Sequence, residues 1–399
     1  MWIYLDNNAT TRPDPRVVEA MLPYLTEQYA NPSSVHLFGQ QARHAVETAR
    51  EQVAAALGAA PRQILFTGGG SEANNLAIRG VLNWRPEKRH VVTTAVEHDS
   101  VLRLAGQLEK EGYRVTYLGV DALGRLDPAE FEAALTDETA IASIMHANNE
   151  TGVLFPIDEL GRMAAARRVP LHVDATQTVG KLPVDVRKRP AQLVTLASHK
   201  LHGPKGVGVV YLGRGVRLRP QVLGGHQERD LRAGTENVAG IVGTGVAIGL
   251  ALEHLEEEAT RVRALRDRLE VGILQRVSMA HVNGDTHHRL PNTTNIGFEA
   301  LEAEAILMLL SKEGLCASSG AACSSGSLEP SHVLKAMGID ERIAHGAVRF
   351  SLSRFTTDEE IDRALQIVPA AIERLRELEP RDMRPAGTSS GDDSAKVGT

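Results

Sequence analysis

Cys323 is one of only two cysteines in 399 residues. It sits in Ala-Ser-Ser-Gly-Ala-Ala-Cys-Ser-Ser-Gly-Ser, residues 317–327. A segment so small and polar buries little surface and reads as a loop that solvent reaches. A cysteine kept for packing belongs among apolar neighbours, where its thiol is inert. This one is placed to react, on an arm that Gly320 and Gly326 leave free to swing. Cys316, in the apolar run Gly314-Leu-Cys-Ala, reads instead as a small core residue.

Three further clusters could do chemistry. Thr67-Gly-Gly-Gly-Ser71-Glu72 follows a predicted strand and opens a predicted helix. It is either a plain glycine turn with Ser71 as helix cap, or a phosphate site built from Gly70 and Ser71 at a helix N-terminus. In His172-Val-Asp174-Ala-Thr-Gln177, an acid ends a core strand. Asp174 either caps the next helix or holds a cationic partner such as a pyridinium nitrogen. In Ser198-His199-Lys200-Leu-His-Gly-Pro-Lys-Gly206, a lysine stands between a strand and a turn. Desolvated there, Lys200 becomes a nucleophile toward carbonyls; otherwise it is a surface lysine. One strand-to-strand step separates Asp174 from Lys200. A phosphate site, an acid for a pyridine nitrogen and a lysine for an aldehyde together describe pyridoxal phosphate (PLP).

These residues need a scaffold of alternating strands and helices. Strands are predicted at 63–67, 90–95, 114–118, 140–146, 171–174, 193–196 and 207–211. Helical patterns occupy 39–57, 72–82, 99–110, 128–135 and 157–167. That alternation predicts an α/β fold with a mostly parallel seven-stranded sheet covered by helices. A long helical pattern over 236–275, with a break expected near Gly272, leads to a smaller α+β unit. Its strands are predicted at 279–283, 293–298, 315–318 and 347–352, and its helices at 302–312 and 358–378. The expected division is a large domain over 14–260 and a small one made of 1–13 and 261–379. The small domain carries the Cys323 loop. A polar tail of low apolar content occupies 380–399.

The ordered set of motifs resembles the cysteine desulfurases of the NifS/IscS group, class-V aminotransferases of the fold-type I PLP superfamily. It runs from Tyr4-Leu-Asp-Asn-Asn-Ala-Thr-Thr11 through Asn31-Pro-Ser-Ser-Val-His36, the 67–72 turn, Glu97-His98 and Met145-His-Ala-Asn-Asn149-Glu-Thr-Gly152. It continues through the Asp174 and Lys200 segments, Arg232-Ala-Gly-Thr235-Glu-Asn237 and the Cys323 loop, and ends at Val348-Arg349-Phe-Ser-Leu-Ser-Arg-Phe-Thr-Thr357. The wording around 232–238 and 329–334 is similar to the NifS branch.

The resemblance implies roles by position. Lys200 would carry PLP, Asp174 would hold its ring nitrogen, and His98 would lie over the ring and assist proton transfers. Gln177 would contact the ring oxygen. Gly70, Ser71 and His199 would hold the phosphate. Thr235 would reach the partner subunit's cofactor, which implies a homodimer with shared active sites. Asn149 and Arg349 would hold the substrate carboxylate, and Cys323 would take sulfur from L-cysteine as a persulfide. Family members often carry a phosphate-binding serine where this chain has Ala197, so either Ser198 takes over that contact or one hydrogen bond to the phosphate is missing. The implied reaction converts L-cysteine to L-alanine and supplies sulfur to an iron–sulfur scaffold or another acceptor protein, in nitrogenase maturation or general cluster assembly. Selenocysteine lyase and other PLP enzymes of the same fold remain open readings, and an aminotransferase has no need of Cys323.

Composition sets the remaining bounds. Hydrophobic content of 42% and charged content of 24% fit a globular protein, and a net charge of −6 gives no reason to expect nucleic acid. Two cysteines argue against a disulfide framework and for a reducing compartment. No basic signal-like N-terminus and no apolar run of membrane length stand out, so the cytoplasm is expected. No resident metal is expected; Cys323 could join transient iron–sulfur ligation.

Overall fold

The computed structural model describes residues 2–188, 190–319 and 329–378. Strands in chain order are β1 (Ile3–Tyr4), β2 (Ile64–Thr67), β3 (His90–Thr94), β4 (Arg114–Leu118), β5 (Thr139–Met145), β6 (Leu171–Asp174), β7 (Leu193–Ala197), β8 (Gly208–Leu212), β9 (Ala280–Val282), β10 (Thr293–Phe298), β11 (Leu315–Cys316) and β12 (Ala347–Ser351). Seven of them form one sheet in the order β2-β8-β7-β6-β5-β3-β4. Only β8 runs antiparallel to its neighbours. Strands β3, β5, β6 and β7 are buried along their whole length, as a parallel sheet with helices on both faces requires.

The helices flanking this sheet are α1 (Pro15–Thr26), α2 (Leu37–Leu57), α3 (Gly70–Trp84), α4 (Asp99–Lys110), α5 (Pro128–Ala134), α6 (Ile157–Ala166) and α7 (Val238–Glu253). Two apolar cores form, one on each sheet face; the larger includes Val46, Phe131, Leu160 and Leu196, the smaller Leu76, Ile78 and Leu104. Strand β2 is a sheet edge, and side chains close it. Arg50 Nη1 and Arg229 Nη2 donate to the Ile64 carbonyl at 3.0 and 2.6 Å, and the Phe66 N–H donates to Glu228 at 2.9 Å.

A third core joins Ile3 and Leu5 to residues between Val262 and Ile372, around the antiparallel sheet β12-β10-β9 and the parallel pair β1-β11. Val333, Leu334 and Met337 pack on the large-sheet core instead. The expected break near Gly272 is not there. The helix bends by 54° between Val238–Glu253 and Leu255–Arg276. A π-helical turn lies at Glu258–Val262. Gly272 lies inside regular helix, where a Cβ would come within 2.5 Å of Leu365, so the glycine serves close packing. Among the described residues no single helix is long and apolar enough to cross a membrane.

Candidate active site

Met145 pairs with Asp174 and Asp174 with Thr195, so β5, β6 and β7 end at one level. Beyond those carboxyl ends, where open α/β sheets bind ligands, lies a cavity of about 290 Å³. It is lined by residues from seven separate stretches of chain, among them Asn8, Gly70 with Ser71, His98, Asn149, Asp174 with Gln177, His199 with Lys200, and Arg349.

Lys200 leaves β7 on a single 3-10 turn, Ser198–Lys200. Its Nζ donates to the carbonyls of Asn8 and Ala9 at 2.5 and 2.6 Å. No carboxylate stands among those partners. Burial pulls its pKa down to about 7, and the charges of Arg349 and Lys181 add to the effect. An amine so placed keeps a substantial neutral fraction near neutrality, and that fraction can attack a carbonyl.

Asp174 is 7% exposed. Its Oδ1 accepts the Thr176 N–H at 2.9 Å and its Oδ2 accepts Asn74 Nδ2 at 2.8 Å. Gln177 donates from Nε2 to the Asn8 carbonyl at 3.0 Å, while its Oε1 is buried with no partner. At the N-terminus of α3, Glu72 accepts the Gly68 N–H at 2.8 Å, and Gly69 takes φ +154°. A Cβ on Gly70 would come within 3.2 Å of Ala197. The backbone there can approach an anion closely, as a phosphate cradle requires.

His98 caps α4, with Nδ1 accepting the Ser100 N–H at 3.1 Å, and it also lines the cavity. It is thus both the helix N-terminal histidine and the cavity group that its sequence context allows. Burial lowers its pKa, opposed by the charge of Asp174. His199 lies 3.1 Å from Thr10 Oγ1 through Nδ1, and burial draws its pKa down to about 4. Arg349 is 2% exposed; Nη1 donates to the Asn149 carbonyl at 2.9 Å and Nη2 to Asp6 at 2.8 Å. Its Nε is buried without a partner.

Two expected residues sit elsewhere. Ser198 does not replace the serine missing at position 197. It is fully buried, and its hydroxyl accepts from Thr244 of α7 at 2.9 Å, away from the cavity that Ala197 lines. Thr235 is exposed and lines a separate depression with Gly68 and Arg232. Arg232 ties that segment to the α3 turn through Glu72 at 2.8 Å. Cys323 lies outside the described residues. Cys316 is half-buried on β11, less enclosed than a core residue, and burial raises its thiol pKa. Among the described residues no group of three or more His, Cys, Asp or Glu could hold a metal ion.

Sequence reasoning missed Asn74, and it gave Asn8 and Ala9 no role although they lie inside a quoted motif. The carbonyls of Asn8 and Ala9 act as backbone groups, which residue identity does not encode. Asn74 carries a weak signal: a polar residue on the apolar face of α3, 1% exposed.

A model of the aminotransferase class-V family matches residues 3–364. A cysteine desulfurase from Trichormus azollae is 56% identical over 385 residues, covering 96% of each chain. The protein named cysteine desulfurase NifS from Azotobacter vinelandii is 55% identical over 379 residues, 95% of this chain and 94% of the relative. A solved structure titled NifS-like protein superposes with TM-score 0.88 at 39% identity, covering 95% of this chain and 100% of that one.

Proposed function

The chain belongs to the class-V aminotransferase family, and from that premise we propose that it is a PLP-dependent cysteine desulfurase. It would convert L-cysteine to L-alanine and pass the sulfur to Cys323. The observation that carries this reading is one cavity joining a lysine drawn down to about pKa 7, a buried acid, a histidine and a buried arginine.

The residues fit the cofactor. Gln177 offers a buried amide with an unpartnered oxygen, and the glycine turn leaves room that a Cβ would fill. Lys200 would hold PLP covalently, Asp174 would hold its ring nitrogen, and Gly70, Ser71 and His199 its phosphate. When bound, PLP supplies an electron-withdrawing ring that stabilises negative charge at the substrate carbon. Arg349, already braced by Asn149, would pair the substrate carboxylate. Lys200 and His98 would move protons at the substrate, the pKa of each lowered by burial. Cys323 would form the new S–S bond as the C–S bond of cysteine breaks.

Exposed Leu22 and Leu25 on α1, Tyr29 and Val35 after it, and Leu37 at the start of α2 support a homodimer. Thr235, turned from its own cavity, would then serve the partner's site. Light scattering should return twice the mass of one chain; a monomer would contradict this. Two cysteines in 399 residues fit a reducing cytoplasm, and the acceptor would be an iron–sulfur scaffold or another sulfur-carrying protein. Holoenzyme given L-cysteine should release L-alanine, and borohydride should fix PLP to the Lys200 peptide. Lys200→Ala should lose both. Alanine release at the wild-type rate by that variant would refute the assignment.

A further inference from the structure

A chain of polar side chains runs from the cavity wall, which Asn74 and Ser100 help to line, into the sheet. Asn74 of α3 stands at its centre. Its Nδ2 donates to Asp174 Oδ2 at 2.8 Å and to Ser100 Oγ at 2.9 Å, and its Oδ1 accepts from Thr195 Oγ1 at 2.5 Å. The Thr195 proton is committed to Asn74, so Thr195 must accept from His172 Nε2 at 2.9 Å. His172 Nδ1 must then accept from Ser143 Oγ at 2.8 Å. Burial keeps His172 neutral, its pKa lowered to about 4, as this direction requires. At the other end the Ser100 N–H donates to His98 Nδ1, so that nitrogen bears no proton. Ser100 Oγ lies 2.9 Å from the same atom. Neutral His98 therefore carries its proton on Nε2, the nitrogen Ser100 leaves free. Turning the Asn74 amide over would set Oδ1 against the Asp174 carboxylate, so the chain has one consistent direction.

We propose that Asn74 is a positioning residue for both ends of the cavity: one amide hydrogen holds the Asp174 carboxylate, and the other turns the Ser100 hydroxyl to donate to His98 Nδ1, reinforcing the Nε2–H tautomer that the Ser100 N–H sets. This rests on reading Asp174 as the ring-nitrogen acid and His98 as a proton-transfer group. The charged and titratable groups facing His98 are Asp174, Lys200, Asp99 and His332.

The test compares Asn74→Ala, Asn74→Asp and Ser100→Ala with wild type, each as apoprotein titrated with PLP and as holoenzyme. The readouts are PLP affinity, the pH titration of the bound-cofactor absorbance, and the pH profile of kcat/KM. Asn74→Ala should weaken PLP about tenfold, the loss of one hydrogen bond to a charged group, and should shift the absorbance titration. Ser100→Ala should leave affinity and absorbance at wild-type values and move only the kinetic pH profile. Asn74→Asp removes the donors at neutral pH. Protonation restores one, so its PLP affinity should recover as pH falls from about 8 to about 6. A merely structural defect would not recover in this way. Wild-type affinity and absorbance titration in both Asn74 variants would overturn the proposal while leaving the cofactor reading intact. Failure of the wild-type protein to bind PLP would overturn both.

Discussion

Glu97 and Lys200 are two buried ionisable residues whose neutral forms burial favours. On the proposed reading Lys200 uses its neutral form as a nucleophile. Glu97, fully buried next to His98, accepts the Met145 N–H at 2.8 Å and Thr94 Oγ1 at 3.0 Å through Oε1, while Oε2 has no partner. Burial raises its pKa from 4.5 to about 8. The native state thus keeps a proton that the unfolded chain gives up above pH 4.5. Its contribution to stability is full below that value and is lost as pH rises through about 8. Glu97→Gln should remove this slope, about 1.4 kcal/mol for each pH unit between 4.5 and 8, and be the more stable protein above pH 8. Denaturant titrations at acid and alkaline pH check this, and parallel pH curves for the two proteins would contradict it. Asp174 and Lys200 were legible in the sequence because one ends a strand and the other stands one turn beyond the next, where the chain reaches the cavity. Asn74 was not, because its bond to Asp174 spans 100 residues of chain.

The strand ends position the site, and Gly208 shows how tightly. It pairs with both Thr67 at the end of β2 and Ala197 at the end of β7. A Cβ there would come within 2.3 Å of the Gly69 carbonyl and 2.6 Å of Thr67 Oγ1. Gly208→Ala must therefore push the glycine turn at 68–70 out of place. We expect about 1–3 kcal/mol of lost stability and weaker PLP binding, read by thermal unfolding of the apoprotein and by PLP titration. Unchanged affinity would show that the turn is not the phosphate cradle. The strands of the main sheet were legible because their apolar runs are short and bounded by turns. The bend at His254 was not, since helical periodicity continues through it, and Gly272 misled because a glycine that admits Leu365 looks the same in sequence as one that ends a helix. Helix α1 went unread although Asp14 caps it, accepting the Arg16 N–H at 3.0 Å, with Pro15 at its first position.

At the scale of the whole molecule, the sheet supplies Asp174, His199 and Lys200, and the third core supplies Arg349 on β12. The N-terminal segment threads between them. The Asn8 side chain reaches Thr293 at 2.9 Å, while the Asn8 carbonyl receives Lys200 and Gln177. The site therefore exists only where the two parts of the chain meet. Such long-range assembly is set by packing, and the sequence alone conveyed it only through the resemblance of its ordered motifs. The central claim is that this assembly delivers the sulfur of cysteine to Cys323. The most direct measurement is mass spectrometry of the holoenzyme after brief exposure to L-cysteine, with thiols trapped by alkylation. The account expects one added sulfur on the Cys323 peptide, absent in Cys323→Ala, which should still bind PLP. An unmodified Cys323 alongside full alanine release, or undiminished sulfide release by Cys323→Ala, would contradict it.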